Sequence, residues 1–219
     1  MKKKGVYEKK MDVRWGHPFT CVVAGGTGSG KSVFVNKLIT HRKEVINPVP
    51  EEIVLCYKIW QPGYESLKTH NVRFIEGLPE GDVLDGSKSR LIIIDDLMSE
   101  VDQSVTSIFT EQSHHLNISV VLILQNLFFS KNKEIRTISL NAHYLVVFKN
   151  PRDKSQITHL GKQMFPGQLN YVIEAFKAAT ESAHSYLLFD CKQSTPENLR
   201  LRTSIFPGEL QTVFIPKKR

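Results

Sequence analysis

The sequence has little cysteine. Cys21, Cys56 and Cys191 stand far apart among 219 residues, an odd number with no Cys-x-x-Cys pair. This argues against a disulfide framework and against a structural zinc site, and it leads to the expectation of a reducing, intracellular setting. Long apolar runs are missing too. The longest, such as VVLIL and LIII, fall far short of the roughly 20 residues that a bilayer span requires, so no membrane partner is expected. The amino-terminal MKKKGVYEKK carries no apolar region behind its lysines and does not read as a secretory signal. There is no internal repeat, no low-complexity tract and no long linker, and 41% hydrophobic residues suit one packed domain. Acid is the minority charge, with 22 Asp and Glu against 29 Lys and Arg, for a net charge of +7. The bases gather at Lys2–Lys4, Lys9–Lys10, Lys131 to Arg136, Lys149 to Lys154 and Lys217–Arg219. Such an excess suits a polyanion as well as an ordinary solvated surface.

What is present is an alternation of apolar strands and helical stretches. FTCVVAG, EIVLCY (52–57), NVRFIEG (71–77), RLIIIDD (90–96), ISVVLILQ (118–125), HYLVVF (143–148) and SYLLFD (185–190) read as strands. Helices are expected over 31–41, 101–115, 152–164 and 168–179, and 78–89 reads as a loop. Continuous apolar strands between helices imply an α/β fold with a mainly parallel sheet covered by helices on both faces. The expected domain spans 16–191, between a basic amino-terminal arm (1–15) and a carboxy-terminal arm (192–219).

The first strand runs into Gly25-Gly26-Thr27-Gly28-Ser29-Gly30-Lys31-Ser32, which fits G-x-x-x-x-G-K-[ST] between a strand and a helix. Glycines let backbone N–H groups face phosphate oxygens, Lys31 brings a point charge to the β- and γ-phosphates, and the Ser32 hydroxyl suits Mg²⁺. The expected cofactors are therefore ATP and Mg²⁺. A phosphate loop needs a second acid for the cation, and Asp95 fits at the carboxyl end of an apolar strand, holding Mg²⁺ through water, with Asp96 placed to polarise an attacking water. A gap of 64 residues from Lys31 to Asp95 contains two expected strands. This points to a P-loop NTPase of the RecA-like, additional-strand branch, in which another strand separates loop and acid. Gln125 ends the next strand and is a candidate γ-phosphate sensor. The loop behind it mixes Phe128 and Phe129 with Lys131, Lys133 and Arg136, a composition that suits a polynucleotide. Arg136 and Arg152 are both candidates for an arginine finger reaching a neighbouring subunit, with Arg136 the preferred one. Trp15 and His17 are candidates for contact with the base. His114-His115 reads as a helix end rather than a metal site, because adjacent helical residues do not share a face.

The phosphate loop, the Asp95-Asp96 pair and the Gln125 strand end resemble the FtsK–HerA type of motor ATPases. The block QNLF, RTISLNAHY and FKNPRD looks like the genome-packaging ATPases of double-stranded DNA viruses, those of poxvirus-like viruses and of Polinton/Maverick and adintovirus elements above all. The resemblance covers about 15–180. It implies a homo-oligomeric ring that hydrolyses ATP to drive double-stranded DNA into a capsid, with a capsid or portal component as partner. The setting it implies is the nucleus or cytoplasm of a host cell, or association with the virion. Lys31, Ser32, Asp95 and Gln125 carry over by motif, and Asn141 and Arg152 fall in the family block. Cellular members usually have Asp-Glu where this chain has Asp-Asp, so Glu100 and Glu111 stand beside Asp96 as alternative bases. Two other readings stay open: a P-loop kinase of nucleotides or small molecules, and a nucleotide-gated DNA-binding protein that does not hydrolyse.

Overall fold

In the computed structural model, which describes residues 12–97, 99–127 and 133–217, strands made almost wholly of apolar residues set the architecture. The elements in chain order are β1 (Trp15–Gly16), β2 (Thr20–Ala24), α1 (Lys31–Thr40), α2 (Arg42–Val45), β3 (Ile46–Asn47), β4 (Glu52–Tyr57), a 3₁₀ helix (Pro62–His70), β5 (Val72–Glu76) and a 3₁₀ turn (Gly81–Leu84). There follow β6 (Arg90–Asp95), α3 (Gln103–Ser107), a π-helical turn (Ile108–Gln112), α4 (Ser113–His115), β7 (Ile118–Leu124), α5 (Lys133–Asn141), β8 (Tyr144–Phe148), α6 (Ser155–Met164), α7 (Leu169–Ala179), β9 (Tyr186–Asp190), a 3₁₀ turn (Glu197–Leu199), β10 (Leu201–Thr203) and β11 (Thr212–Phe214).

Nine strands form one sheet in the order β11-β10-β9-β8-β2-β7-β6-β4-β5. From β8 to β5 every neighbour is parallel; β9, β10 and β11 each run antiparallel to the strand before. Every residue of β2, β6 and β7 is buried, because helices cover both faces of the sheet. Alternation along the strands divides the core. Val22, Ala24, Ile92, Ile94, Leu122 and Leu124 pack with the face that carries α3, α5, α6 and α7. Cys21, Val23, Leu91, Ile93, Val121 and Ile123 pack with Phe34, Leu38 and Ile39 of α1. At about 1.5–3 kcal/mol for each fully buried aliphatic side chain, these two layers hold the sheet and fix its register. That register puts Val22, Leu122 and Ile94 at one level, so the carboxyl ends of β2, β7 and β6 form a common edge.

The helical stretch expected over 101–115 is divided into α3, the π turn and α4. Asp102 opens it as an N-cap, accepting hydrogen bonds from the Ser104 and Val105 N–H groups, which otherwise lack partners in a first turn. Residues 192–219, expected to be a peripheral arm, instead carry the last two strands. Arg202 donates from Nη2 to Asp190 Oδ2 at 2.6 Å, with both side chains at 5% exposure or less, and Phe206 packs on Phe34. Of the amino-terminal arm, 1–11 lie outside the described residues. Its last residue, Trp15, is core: 1% exposed and stacked on Tyr144 with 4.3 Å between ring centroids. Among the described residues no helix is long and apolar enough to cross a membrane.

Candidate nucleotide-binding cleft

The buried strand β2 ends at Ala24, and the chain must turn sharply to enter α1. Glycine is required here for two different reasons. Gly25 is buried, and a Cβ there would come within 2.6 Å of both Phe148 Cβ and Ser29 Oγ. Gly30, the cap of α1, has φ 109 and no room either: a Cβ would meet His184 Cβ at 2.9 Å and the His184 carbonyl oxygen at 3.2 Å. Gly28 has φ 73 with open space around it. Gly30→Ala is therefore expected to destabilise the protein by about 1–3 kcal/mol, more than Gly28→Ala, which meets only backbone strain. Denaturant unfolding of the two variants checks the ranking, and equal midpoints would contradict it.

No side chain caps the first turn of α1, which leaves the N–H groups there for an anion. Ser29 Oγ is buried without a hydrogen-bond partner among the described residues. Lys31 lies over the loop and donates from Nζ to the Gly25 and Gly26 carbonyls at 2.7 and 2.9 Å. Burial lowers the pKa of its ammonium, and the charges of Asp95 and Asp96 oppose that shift. The Ser29 N–H is used within the loop, on the Gly26 carbonyl at 3.2 Å, but the rest of the donor set fits a polyphosphate: the uncapped first turn of α1, an unpartnered hydroxyl and a cation held over the loop.

Around this loop lies a cleft of about 820 Å³, a size usual for small-molecule sites. Its walls are 26–29 of the loop, Gln125 and Asn126 behind β7, 149–152 behind β8, and 181–185 ahead of β9. Lys149 and Arg152 give it a positive character, with Glu181 as the one acid among its lining residues. Asn126 donates to Asp153 Oδ2 at 2.9 Å, and Gln156 Oε1 accepts from the Leu127 N–H at 3.2 Å. The end of β7 is thus tied to the turn that carries Arg152.

Asp95 ends β6 on the same sheet edge. It is 6% exposed, and burial raises the pKa of its carboxyl, opposed by the Tyr64 hydrogen bond, helped by the Asp96 charge, and opposed by Lys31 and by the Asp96 backbone N–H. The Tyr64 hydroxyl donates to Asp95 Oδ2 at 2.7 Å. Asp96 follows with φ 58, a left-handed conformation that asparagine and aspartate tolerate better than most residues, and its side chain is exposed. Among the described residues no three His, Cys, Asp or Glu side chains gather to hold a metal. A divalent cation at this edge would be held by Ser32 and, through water, by Asp95, with phosphate and water as its remaining ligands, as is common for Mg²⁺.

Gly26, Thr27, Gly28, Ser29, Gln125 and Arg152 therefore share one cleft, with Lys31 above the loop and Asp95 and Asp96 within its electrostatic reach. Arg136 stands apart on α5, in a separate pocket with Leu127, His159 and Lys162. Within one protomer it is Arg152, and not the preferred Arg136, that lies beside the loop. Asn141 bonds back to the Thr137 carbonyl at 2.8 Å and does not line the cleft. Glu100 is paired with Lys58 at 2.9 Å, and Glu111 is exposed on the π turn. Trp15 and His17 are buried ahead of β2, at the end of the strand opposite the loop, so neither is a base contact. Phe128, Phe129 and Lys131 lie outside the described residues. Sequence reasoning missed Tyr64, Asn126, Lys149, Asn150 and His184. The Lys149–Arg152 turn carried a usable signal, since it follows an apolar strand as Asp95 does. Tyr64 and His184 carried none. No protein-family model matches the chain, and no curated protein matches it significantly.

Proposed function

We propose that the protein is a P-loop ATPase of the RecA-like, additional-strand class, and that as a homo-oligomeric ring it drives double-stranded viral DNA into a capsid. The observation that carries the ATPase reading is the strand order β2-β7-β6. It brings the Gly25–Ser32 loop, Gln125 and the Asp95-Asp96 pair to one edge, with the Gln125 strand between loop and acids. The backbone N–H groups of 26–28, 30 and 31 and the Lys31 ammonium would hold the phosphates, and Ser32 and, through water, Asp95 the Mg²⁺. When bound, that cation neutralises charge on the phosphate oxygens. Asp96, exposed and turned out of the strand, would accept the proton of the attacking water. Gln125 would register the γ-phosphate and pass its presence to the 149–156 turn through Asn126–Asp153 and Leu127–Gln156. Arg152 would steady charge that develops on the transferred phosphoryl group.

The net charge of +7 supports a DNA partner, because neutralised phosphates dominate sequence-independent affinity for duplex DNA. The capsid or portal partner, and a place inside the host cell or with the virion, rest on the resemblance in the QNLF to FKNPRD block. The test is to follow γ-labelled ATP with and without duplex DNA. The account expects label in inorganic phosphate, released faster with DNA. Label on a nucleoside or other small acceptor would favour a kinase. Binding of ATP and DNA without turnover would favour a nucleotide-gated binding protein.

A further inference from the structure

One buried polar contact joins the acid strand to a segment that no motif marks. Tyr64 is 3% exposed and Asp95 6%, and the hydroxyl reaches Oδ2 at 2.7 Å. The Tyr64 ring is packed by Tyr57, Trp60 and Phe74, with centroids 5.8, 5.5 and 6.2 Å away. Its backbone is fixed as well. Pro62 starts the 3₁₀ helix with φ already set, and the Tyr64 N–H donates to the Gln61 carbonyl at 3.0 Å. The same 3₁₀ helix lies against α1. Asn36 Nδ2 donates to the Gly63 carbonyl at 3.4 Å, and His70 Nε2 is 3.3 Å from Thr40 Oγ1. Because α1 also carries Ser32, the hydroxyl links Asp95 to the helix that bears the other expected cation ligand.

We propose that Tyr64 is a positioning residue for Asp95, holding Oδ2 so that the carboxylate plane is fixed towards a divalent cation shared with Ser32. The inference rests on the reading of Asp95 as the cation's ligand. A carboxylate bonded at one oxygen loses rotation about its Cβ–Cγ bond, and partners of this kind commonly change metal affinity by about 10–100-fold. Ring packing and positioning are separable, because Tyr64→Phe keeps the ring and removes only the donor.

The experiment uses Mn²⁺ as a spectroscopic stand-in for Mg²⁺, titrated by electron paramagnetic resonance into the full chain saturated with a non-hydrolysable ATP analogue. Tyr64→Phe is expected to raise the Mn²⁺ dissociation constant about tenfold, with metal-free binding of the analogue close to the parent's and the unfolding midpoint lowered, because the buried Asp95 carboxylate loses a donor. Tyr57→Phe, in the same aromatic cluster, is expected to change none of these. Parental Mn²⁺ affinity in Tyr64→Phe, or an equal loss in Tyr57→Phe, would overturn the positioning role. Parental Mn²⁺ affinity in Asp95→Asn would instead overturn the reading of Asp95, and the inference with it.

Discussion

Lys31→Ala is expected to reduce ATP hydrolysis at least about 100-fold, the usual cost of removing one preorganised group from a developing charge. The melting temperature should stay within about 2 °C of the parent. The two parts follow from the same geometry. Nζ is held at the loop by the Gly25 and Gly26 carbonyls, acceptors it would exchange for phosphate oxygens of a nucleotide in the cleft. The variant loses those two hydrogen bonds. It is also relieved of a cation that burial disfavours, and the two effects oppose each other in stability. Phosphate-release kinetics and thermal unfolding on one preparation check both parts. Turnover equal to the parent's would remove Lys31 from the chemistry.

Asp95→Asn is expected to cost hydrolysis a further factor of this order, at least about 100-fold, while making the protein more stable. Burial, with Asp96, raises the carboxyl's pKa in the folded state above its unfolded value. The folded state therefore binds the proton more tightly, and stability contributed by this group falls as pH rises through the folded pKa. At neutral pH the buried carboxylate is a cost that Asn removes, and the amide oxygen still accepts from Tyr64. A rise in melting temperature is expected at pH 7.5 without nucleotide. The gap should close as pH is lowered and the parent's carboxyl takes up its proton. A variant less stable than the parent at pH 7.5 would contradict this account of Asp95. A site residue whose removal stabilises the fold is the ordinary trade between activity and stability.

The central sheet was legible because β2, β6 and β7 are apolar on both faces, and such runs declare themselves without a partner in view. The glycine-rich turn into α1 and the strand end at Asp95 were legible because strand ends and glycine spacing are local properties. β10 and β11 were not. Each has three residues, and what holds β10 in place is non-local: pairing with β9 and the buried Arg202–Asp190 bond. Trp15 was misread although chain order already sets it at the start of β2, at the end of the strand opposite the loop. Tyr64 was invisible for a topological reason. A 3₁₀ helix between β4 and β5 reaches Asp95 only because β6 lies beside β4 in the sheet, an adjacency the chain order does not reveal. His184 faces Gly30 through a backbone at φ 61, which a non-glycine residue does not advertise.

The measurement that tests the central claim most directly is steady-state ATP hydrolysis against duplex length, at constant total base pairs and with the protein's mass in solution recorded alongside. An oligomer that moves along DNA spends more of its cycles bound as the duplex lengthens. The account expects turnover to rise with length towards a plateau, with the rise lost in Lys31→Ala. Turnover independent of length, or of DNA altogether, would contradict a translocating motor.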